Sequence, residues 1–210
     1  MVQPAVYADA EADARLAALG LTQDVLATAL QQADAEAAQT TDLDPPTAEG
    51  LVRYIATVRC LRLALVSAGW TYDNGGNYCR TVHPDGAFSL VVSSGDGGTG
   101  DPLGYPSTKY PKGESTVRAV ASNQLIIDFG VEGIIDDETA DDAPTWLLLQ
   151  RIEADAIYAE VSLPRDSSGG KINGWSERIL LQPIPRPDAS VLAQIPQEPE
   201  PAYDVAVARR

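Results

Sequence analysis

Tyr78-Cys79-Arg80-Thr81-Val82-His83-Pro84-Asp85-Gly86-Ala87-Phe88-Ser89-Leu90-Val91-Val92 is the stretch from which the fold can be read. Tyr78, Arg80 and Val82 alternate with Cys79 and Thr81, and Phe88, Leu90 and Val92 alternate with Ser89 and Val91, the two-residue period of half-buried strands. His83-Pro84-Asp85-Gly86 lies between them. Proline presets φ for the second position of a type I turn and glycine suits its exit, so the segment predicts a hairpin. The single histidine of the chain, His83, then reads as a solvent-exposed turn residue rather than a catalytic base.

Working forward, Ser93-Ser94-Gly95-Asp96-Gly97-Gly98-Thr99-Gly100-Asp101 is too rich in glycine for a strand. A loop of this composition can cradle a phosphate, but a P-loop ends in Gly-Lys-Ser/Thr and opens a helix, whereas Asp101-Pro102 follows here. A glycine-rich calcium repeat would need its aspartate one residue later and a second copy, and the segment supplies too few ligands for calcium. The bland reading is a flexible surface loop. Tyr105-Pro106-Ser107-Thr108-Lys109-Tyr110-Pro111-Lys112-Gly113 continues it, making about twenty residues of loop, a length that in compact domains is usually functional or disordered. Ser115 or Thr116 is placed to cap a short helix through Val117, Val120 and Ala121 to Asn123, with its free N–H groups aimed toward Lys109 and Lys112. An anion site built on the loop would therefore use Gly97, Gly98, Lys109, Lys112 and Gly113. The competing reading is an ordinary helix beside two solvated lysines.

Working backward, the alanine-rich residues 8–38 predict two helices, broken at Gly20 and restarted by a Thr22 cap. Residues 40–46, ending Asp44-Pro45-Pro46, read as a linker. Leu51, Tyr54, Ile55, Val58, Leu61 and Leu65 form the strongest helical stripe, Glu49 stands four residues before Arg53 for an ion pair, and Gly69 closes the helix. Arg53, Arg59 and Arg62 point in different directions and make no basic stripe.

Toward the C-terminus, Leu125 to Phe129 is a short apolar run, and Gly130, Gly133 and the acidic 136–142 segment read as surface loop. Trp146 to Ile152 reads as a strand. Ile157, Ala159, Val161 and Leu163, then Trp175, Glu177, Ile179 and Leu181, alternate as two strands of a second hairpin around the turn-formers of 166–174. From Pro183 the chain is proline-rich and extended. The fold class expected is α+β, N-terminal helices packed on an antiparallel sheet built from hairpins, divided as a helical segment 1–46, a core 47–182 and a tail 183–210.

The net charge is −15, which argues against a direct grip on nucleic acid. Eight acids precede Pro45 against the single base Arg15, and seven more fall between Asp128 and Asp142 with no base. Acidic surfaces serve solubility; the sharper reading is a mimic of nucleic-acid phosphates, with Asp136, Asp137, Asp141 and Asp142 as the partner-binding residues. Cys60 and Cys79 lack metal-ligand spacing and read as buried free thiols, a disulfide between them staying open. No metal and no cofactor are expected. Neither a secretory signal nor a membrane-spanning run is present in the sequence, so a cytoplasmic protein is expected.

Ser94-Gly95-Asp96 through Thr99-Gly100, then Thr108, Pro111-Lys112-Gly113, Thr116 and Asn123, with Leu163-Pro164 and Gly174-Trp175-Ser176-Glu177-Arg178-Ile179, resembles uncharacterised acidic proteins of bacterial plasmids, integrative elements and phages. The resemblance implies a mobile-element setting in a bacterial or phage-infected cell and no mechanism. No nucleophile elbow, zinc-hydrolase motif, Cys-x-x-Cys or dinucleotide fingerprint occurs. The residues thus favour a non-enzymatic protein that binds another protein with a basic surface, in an accessory or inhibitory role. A nucleotide- or phosphate-binding domain, or a small hydrolase, using the loop 95–113 is the alternative.

Overall fold

Thr22 supplies the first fixed point: its Oγ1 accepts from Val25 N at 3.2 Å, the side-chain cap that starts a helix in the middle of a continuous alanine-rich segment. The computed structural model, which describes residues 3–129 and 143–186, accordingly has two helices here, α1 (Asp9–Ala18) and α2 (Gln23–Ala37), preceded by strand β1 (Ala5–Tyr7). The turns of 40–46 lead to α3 (Ala48–Val66). After it come β2 (Thr71–Asp73), a 3₁₀ turn at Gly75–Asn77, β3 (Arg80–Val82) and β4 (Ser89–Ser94). Beyond the long loop lie α4 (Glu114–Phe129), β5 (Thr145–Ile152), β6 (Ala156–Ser168), β7 (Lys171–Leu180) and β8 (Ile184–Pro185).

The strands form one sheet in the order β1-β7-β6-β5-β4-β3-β2, with β8 also paired to β6. The class is α+β as read from the sequence, but the sheet is mixed: β1 runs parallel to β7 and β4 parallel to β5, among antiparallel hairpins. Strand alternation sends Leu90, Val92, Leu148, Ala159, Val161 and Ile179 to one face, where they meet Leu26, Leu30, Leu61 and Leu65 of α2 and α3 in the main core. The other face buries Val91, Leu147, Leu149, Ile172 and Trp175 with Val120 of α4. Three layers result, helices α1–α3, the sheet, and α4 with the loop.

Two side-chain networks tie the layers. Asp34 on α2 accepts from Arg53 on α3 at 3.0 Å and from Arg186, just past β8, at 2.7 Å, while Arg53 also reaches Glu49 at 2.6 Å, the i,i+4 pair expected. Asn123 on α4 donates to Thr145 O at 2.8 Å and Pro164 O at 3.2 Å and accepts from Thr145 N at 2.8 Å, so a buried amide is fully used in fixing α4 to β5 and β6.

Several expectations are corrected. The stripe on α3 is rotated: Leu51 and Ile55 are 57% and 49% exposed, and Arg53, Ala56, Thr57 and Cys60 go inward with Val58, Leu61 and Leu65, because the buried Asp34 draws Arg53 toward α2. His83 is not a free turn tip. The hairpin turn is there, with Gly86 N donating to His83 O at 2.8 Å, but the imidazole stacks on Phe88 at 5.0 Å and meets Trp70 edge-on at 5.1 Å. Residues 125–129 belong to α4, which starts at Glu114, earlier than a Ser115 or Thr116 cap allows, on N–H bonds from Thr116 and Val117 to Gly113 O. The second hairpin closes more tightly than the nine-residue loop expected. Gly169 and Gly170, at φ 60° and 76°, make the two-residue turn that matches strand twist. Cys60 and Cys79 are both free as expected, but only Cys60 is buried and Cys79 is half-buried.

Candidate functional site

The residues 95–113 fold back across the second face of the sheet, over a place where β6 and β7 present charge instead of apolar side chains. Glu160 and Arg178 are diagonal neighbours there, Glu160 standing opposite Leu180 and Arg178 opposite Ser162, their side chains 0% and 2% exposed. Arg178 Nε and Nη2 reach the two Glu160 oxygens at 3.0 and 2.5 Å, a bidentate geometry. The remaining valences go to the loop. Arg178 donates to Gly104 O at 2.8 Å, Asp101 O at 3.1 Å and Gly98 O at 3.4 Å, while Glu160 accepts from Gly100 N at 2.9 Å and from Ser162 Oγ at 2.8 Å. A buried ion pair is tolerable only when its spare donors and acceptors are satisfied, and here the loop backbone satisfies them.

The loop also organises itself. Asp96 accepts from Ser107 N at 3.0 Å, Ser107 Oγ at 2.8 Å and Gly98 N at 3.1 Å. Burial works against its ionisation, but the bonds from Ser107 and Gly98 outweigh it and hold the carboxyl below its ordinary range. Further along, Thr108 bridges to Gly95, its N donates to Ile172 O at 3.0 Å and its Oγ1 accepts from Ile172 N at 3.1 Å. Trp175 Nε1 donates to Pro106 O at 2.8 Å. Trp175 can do this because of a bulge: Leu163 pairs with Glu177 and Pro164 with Trp175, so Ser176 is the extra residue that turns Trp175 to the loop side. The flexible surface loop read from composition is therefore an ordered element with a hydrogen-bonded interior.

Leu103 and Tyr105 are 87% and 77% exposed beside a cleft of about 320 Å³ lined by Pro4, Val6, Leu103, Tyr105, Pro106 and Trp175, among others; Tyr110, 60% exposed, belongs to a different cleft. A second cleft of about 430 Å³, lined by Arg53, Tyr54, Gly97, Lys109, Gln150 and Arg151 among others, lies at the other end of the loop. Lys109 Nζ sits 5.6 Å from the Tyr110 ring centroid.

The residues expected at an anion site are distributed over separate places. Gly97 and Lys109 line the second cleft, Lys112 lines a third and smaller cavity, and Gly113 supplies the carbonyl that begins α4. Gly98 N is engaged by Asp96. Asp136, Asp137, Asp141 and Asp142 lie outside the described residues. Among the described residues, no group of three His, Cys, Asp or Glu is gathered for a metal ion and no helix is long and apolar enough to cross a membrane. Glu160 and Arg178, the residues that organise the loop, escape sequence reading because strand alternation places them opposite the core stripe. Only knowledge that a loop covers that face would flag them. Comparison of the chain with protein-family models, with curated proteins and with solved structures finds no match.

Proposed function

We propose that the chain is a non-enzymatic binding protein that takes up a partner protein through the outer side of the loop 95–113, and that its net charge of −15 selects a partner with a basic surface. The observation that carries this reading is the exposure of Leu103 and Tyr105 on a backbone held from behind by the Glu160–Arg178 pair, with Tyr110 a further exposed aromatic of the same loop. Apolar and aromatic side chains on a preorganised loop lose little conformational entropy on docking and dominate the energetics of interfaces. An accessory or inhibitory role in a bacterial mobile element is the setting that the resemblance to plasmid and phage proteins supports. Phosphate capture by the loop backbone has weaker support, since the N–H groups of Gly98 and Gly100 are taken by the chain's own Asp96 and Glu160.

Affinity capture from bacterial lysate with the full chain tests this. A stoichiometric partner should be retained at low salt and released as salt rises. Leu103→Ala, Tyr105→Ala and Tyr110→Ala together should weaken that complex by more than tenfold, consistent with loss of interface anchors worth about 2 kcal/mol or more, and leave the unfolding midpoint unchanged. Retention of the same partner by the triple variant would overturn the assignment to this loop.

A further inference from the structure

The ladder between β3 and β4 is only two residue pairs long, Thr81 with Leu90 and Val82 with Ser89. β4 runs on to Ser94, paired with β5 alone, while the chain before β3 swings away through the 3₁₀ turn, where Asn77 takes φ 59°. The split between the two strands opens a cavity of about 200 Å³. Tyr78 and Cys79 line it on one side and Val91 and Ser93 on the other; Tyr54 of α3, Lys112 and Thr116 complete most of the wall.

Lys112 is the anomaly in this wall. Its backbone is fixed by a bond from Lys112 N to Gly170 O at 2.7 Å, and its side chain is partly buried with no carboxylate partner among the described residues. No Asp or Glu lines the cavity. Elsewhere Arg15, Arg53, Arg59, Arg80, Arg151, Arg178 and Arg186 all meet carboxylates, whereas the half-buried Lys112 ammonium meets none among the described residues, in a chain with thirty acids to fifteen bases. Tyr78 adds a buried hydroxyl that lies beside the Thr145 and Thr116 side chains without a hydrogen bond of good geometry to either. Burial pushes the Tyr78 phenol up to about 12, and burial with the adjacent Cys79 thiol pushes Tyr54 up to about 12. Both phenols are therefore neutral and able to donate at physiological pH. Desolvation lowers the Lys112 ammonium from its ordinary value, with no neighbouring charge opposing it.

We propose that this cavity is a binding site for a small oxyanion, of the size of a short-chain carboxylate or inorganic phosphate, held by the Lys112 ammonium and the Tyr78 hydroxyl. The volume sets the class: clefts for drug-sized ligands occupy roughly 300–1,000 Å³, so a nucleotide does not fit and an anion of a few heavy atoms does. This site is independent of the protein-binding reading and faces a different part of the loop.

The test uses the full chain in a zwitterionic buffer, titrated with sodium acetate or sodium phosphate at constant ionic strength, with the thermal midpoint and the NMR signal of the Lys112 side chain followed together. A ligand that binds only the folded state raises the midpoint along a saturable curve, whereas general salting-out by phosphate has no saturation and no residue dependence. A saturable shift is expected for at least one of the two anions, weakened tenfold or more in Lys112→Met, several-fold in Tyr78→Phe and not at all in Lys109→Met. Equal responses of the wild type and Lys112→Met, or a Lys112 signal that neither anion moves, would overturn the proposal; the NMR arm decides even if a variant fails to fold.

Discussion

Glu160 stands where two neighbours would otherwise be stranded, the Arg178 guanidinium and Gly100 N. Truncating one member of a buried, hydrogen-bonded pair leaves the other charged and dry, at a cost of about 3–5 kcal/mol. Arg178→Ala is therefore expected to lower unfolding stability by that amount in denaturant titration and to make residues 95–113 a site of limited proteolysis, since three carbonyls lose their donor at once. Unchanged protease resistance would show that the loop is held by something else. Asp96 gives a prediction with a pH signature. Its carboxyl is held below the ordinary value of about 3.9, so the unfolded chain binds more protons between the two values, and the stabilisation is complete above about pH 4 and lost as pH falls through the folded value. Asp96→Ala should cost on the order of 1 kcal/mol at pH 7 after allowance for solvent screening, with the difference from wild type shrinking on acidification below pH 4. Lys112 has the reverse arithmetic. A lowered lysine means that the unfolded chain again binds more protons, now between the folded value and about 10.4, so stability rises with pH across that window. In anion-free buffer Lys112→Met should therefore unfold at a higher midpoint than wild type near pH 7, with the advantage narrowing as pH approaches 10.

At the scale of elements, the loop 95–113 makes a claim that glycine substitutions can check. Gly97 has open space around it, whereas a Cβ on Gly98 would lie 2.9 Å from Pro106 N and one on Gly100, at φ 76°, would lie 2.9 Å from Tyr158 Cβ. Gly98→Ala and Gly100→Ala are expected to destabilise by roughly 1–3 kcal/mol, and Gly97→Ala by less than about 0.5 kcal/mol; equal effects would mean that the loop does not pack as described. This is also the scale at which the sequence was most and least legible. Thr22, Gly20 and the Glu49–Arg53 pair announce α1 to α3 through local chemistry, and the His83-Pro84-Asp85-Gly86 turn and the alternation of Ile157 to Leu163 announce two hairpins. What composition hides is long-range. Nothing near Val91 signals a parallel partner at Leu147, Trp175 changes face only because a bulge falls at Ser176, and the order of the loop depends on residues some 60 to 80 positions away. The anion-site residues failed to converge for the same reason: adjacency along 97–113 says little about which side of a folded-back loop each one takes.

At the scale of the whole molecule, helices α1–α3 occupy one face of the sheet and α4 with the loop the other, so the acidic N-terminal helices and the exposed apolar side chains Leu103, Tyr105 and Tyr110 of the loop belong to different layers. Partner binding through the loop should then respond to the two features separately. Charge neutralisation on α1 and α2, for example at the exposed Asp9, Glu11 and Asp13, should slow association and flatten its salt dependence without changing dissociation, whereas the triple alanine variant of the loop should speed dissociation. Stopped-flow or surface-based kinetics would separate them, and an acid-neutralised variant with a faster off-rate would place those acids within the contact itself.

The parallel pairing of β1 with β7 joins Ala5 to Glu177 and Tyr7 to Ile179, and Arg15 of α1 meets Glu177 at 2.8 Å. During synthesis the first strand and helix leave the ribosome about 160 to 170 residues before the strand that receives them, a wait of roughly 10 to 30 seconds at ordinary elongation rates. The N-terminal segment must therefore stay unmated until nearly all the described chain has been made, and its alanine-rich, acidic composition keeps it from sticking to itself in the interval. Nascent chains arrested before residue 177 should leave α1 open to protease, and those arrested well beyond residue 180 should protect it, so the β1 edge of the sheet is closed by a strand that arrives late rather than built outward from the first.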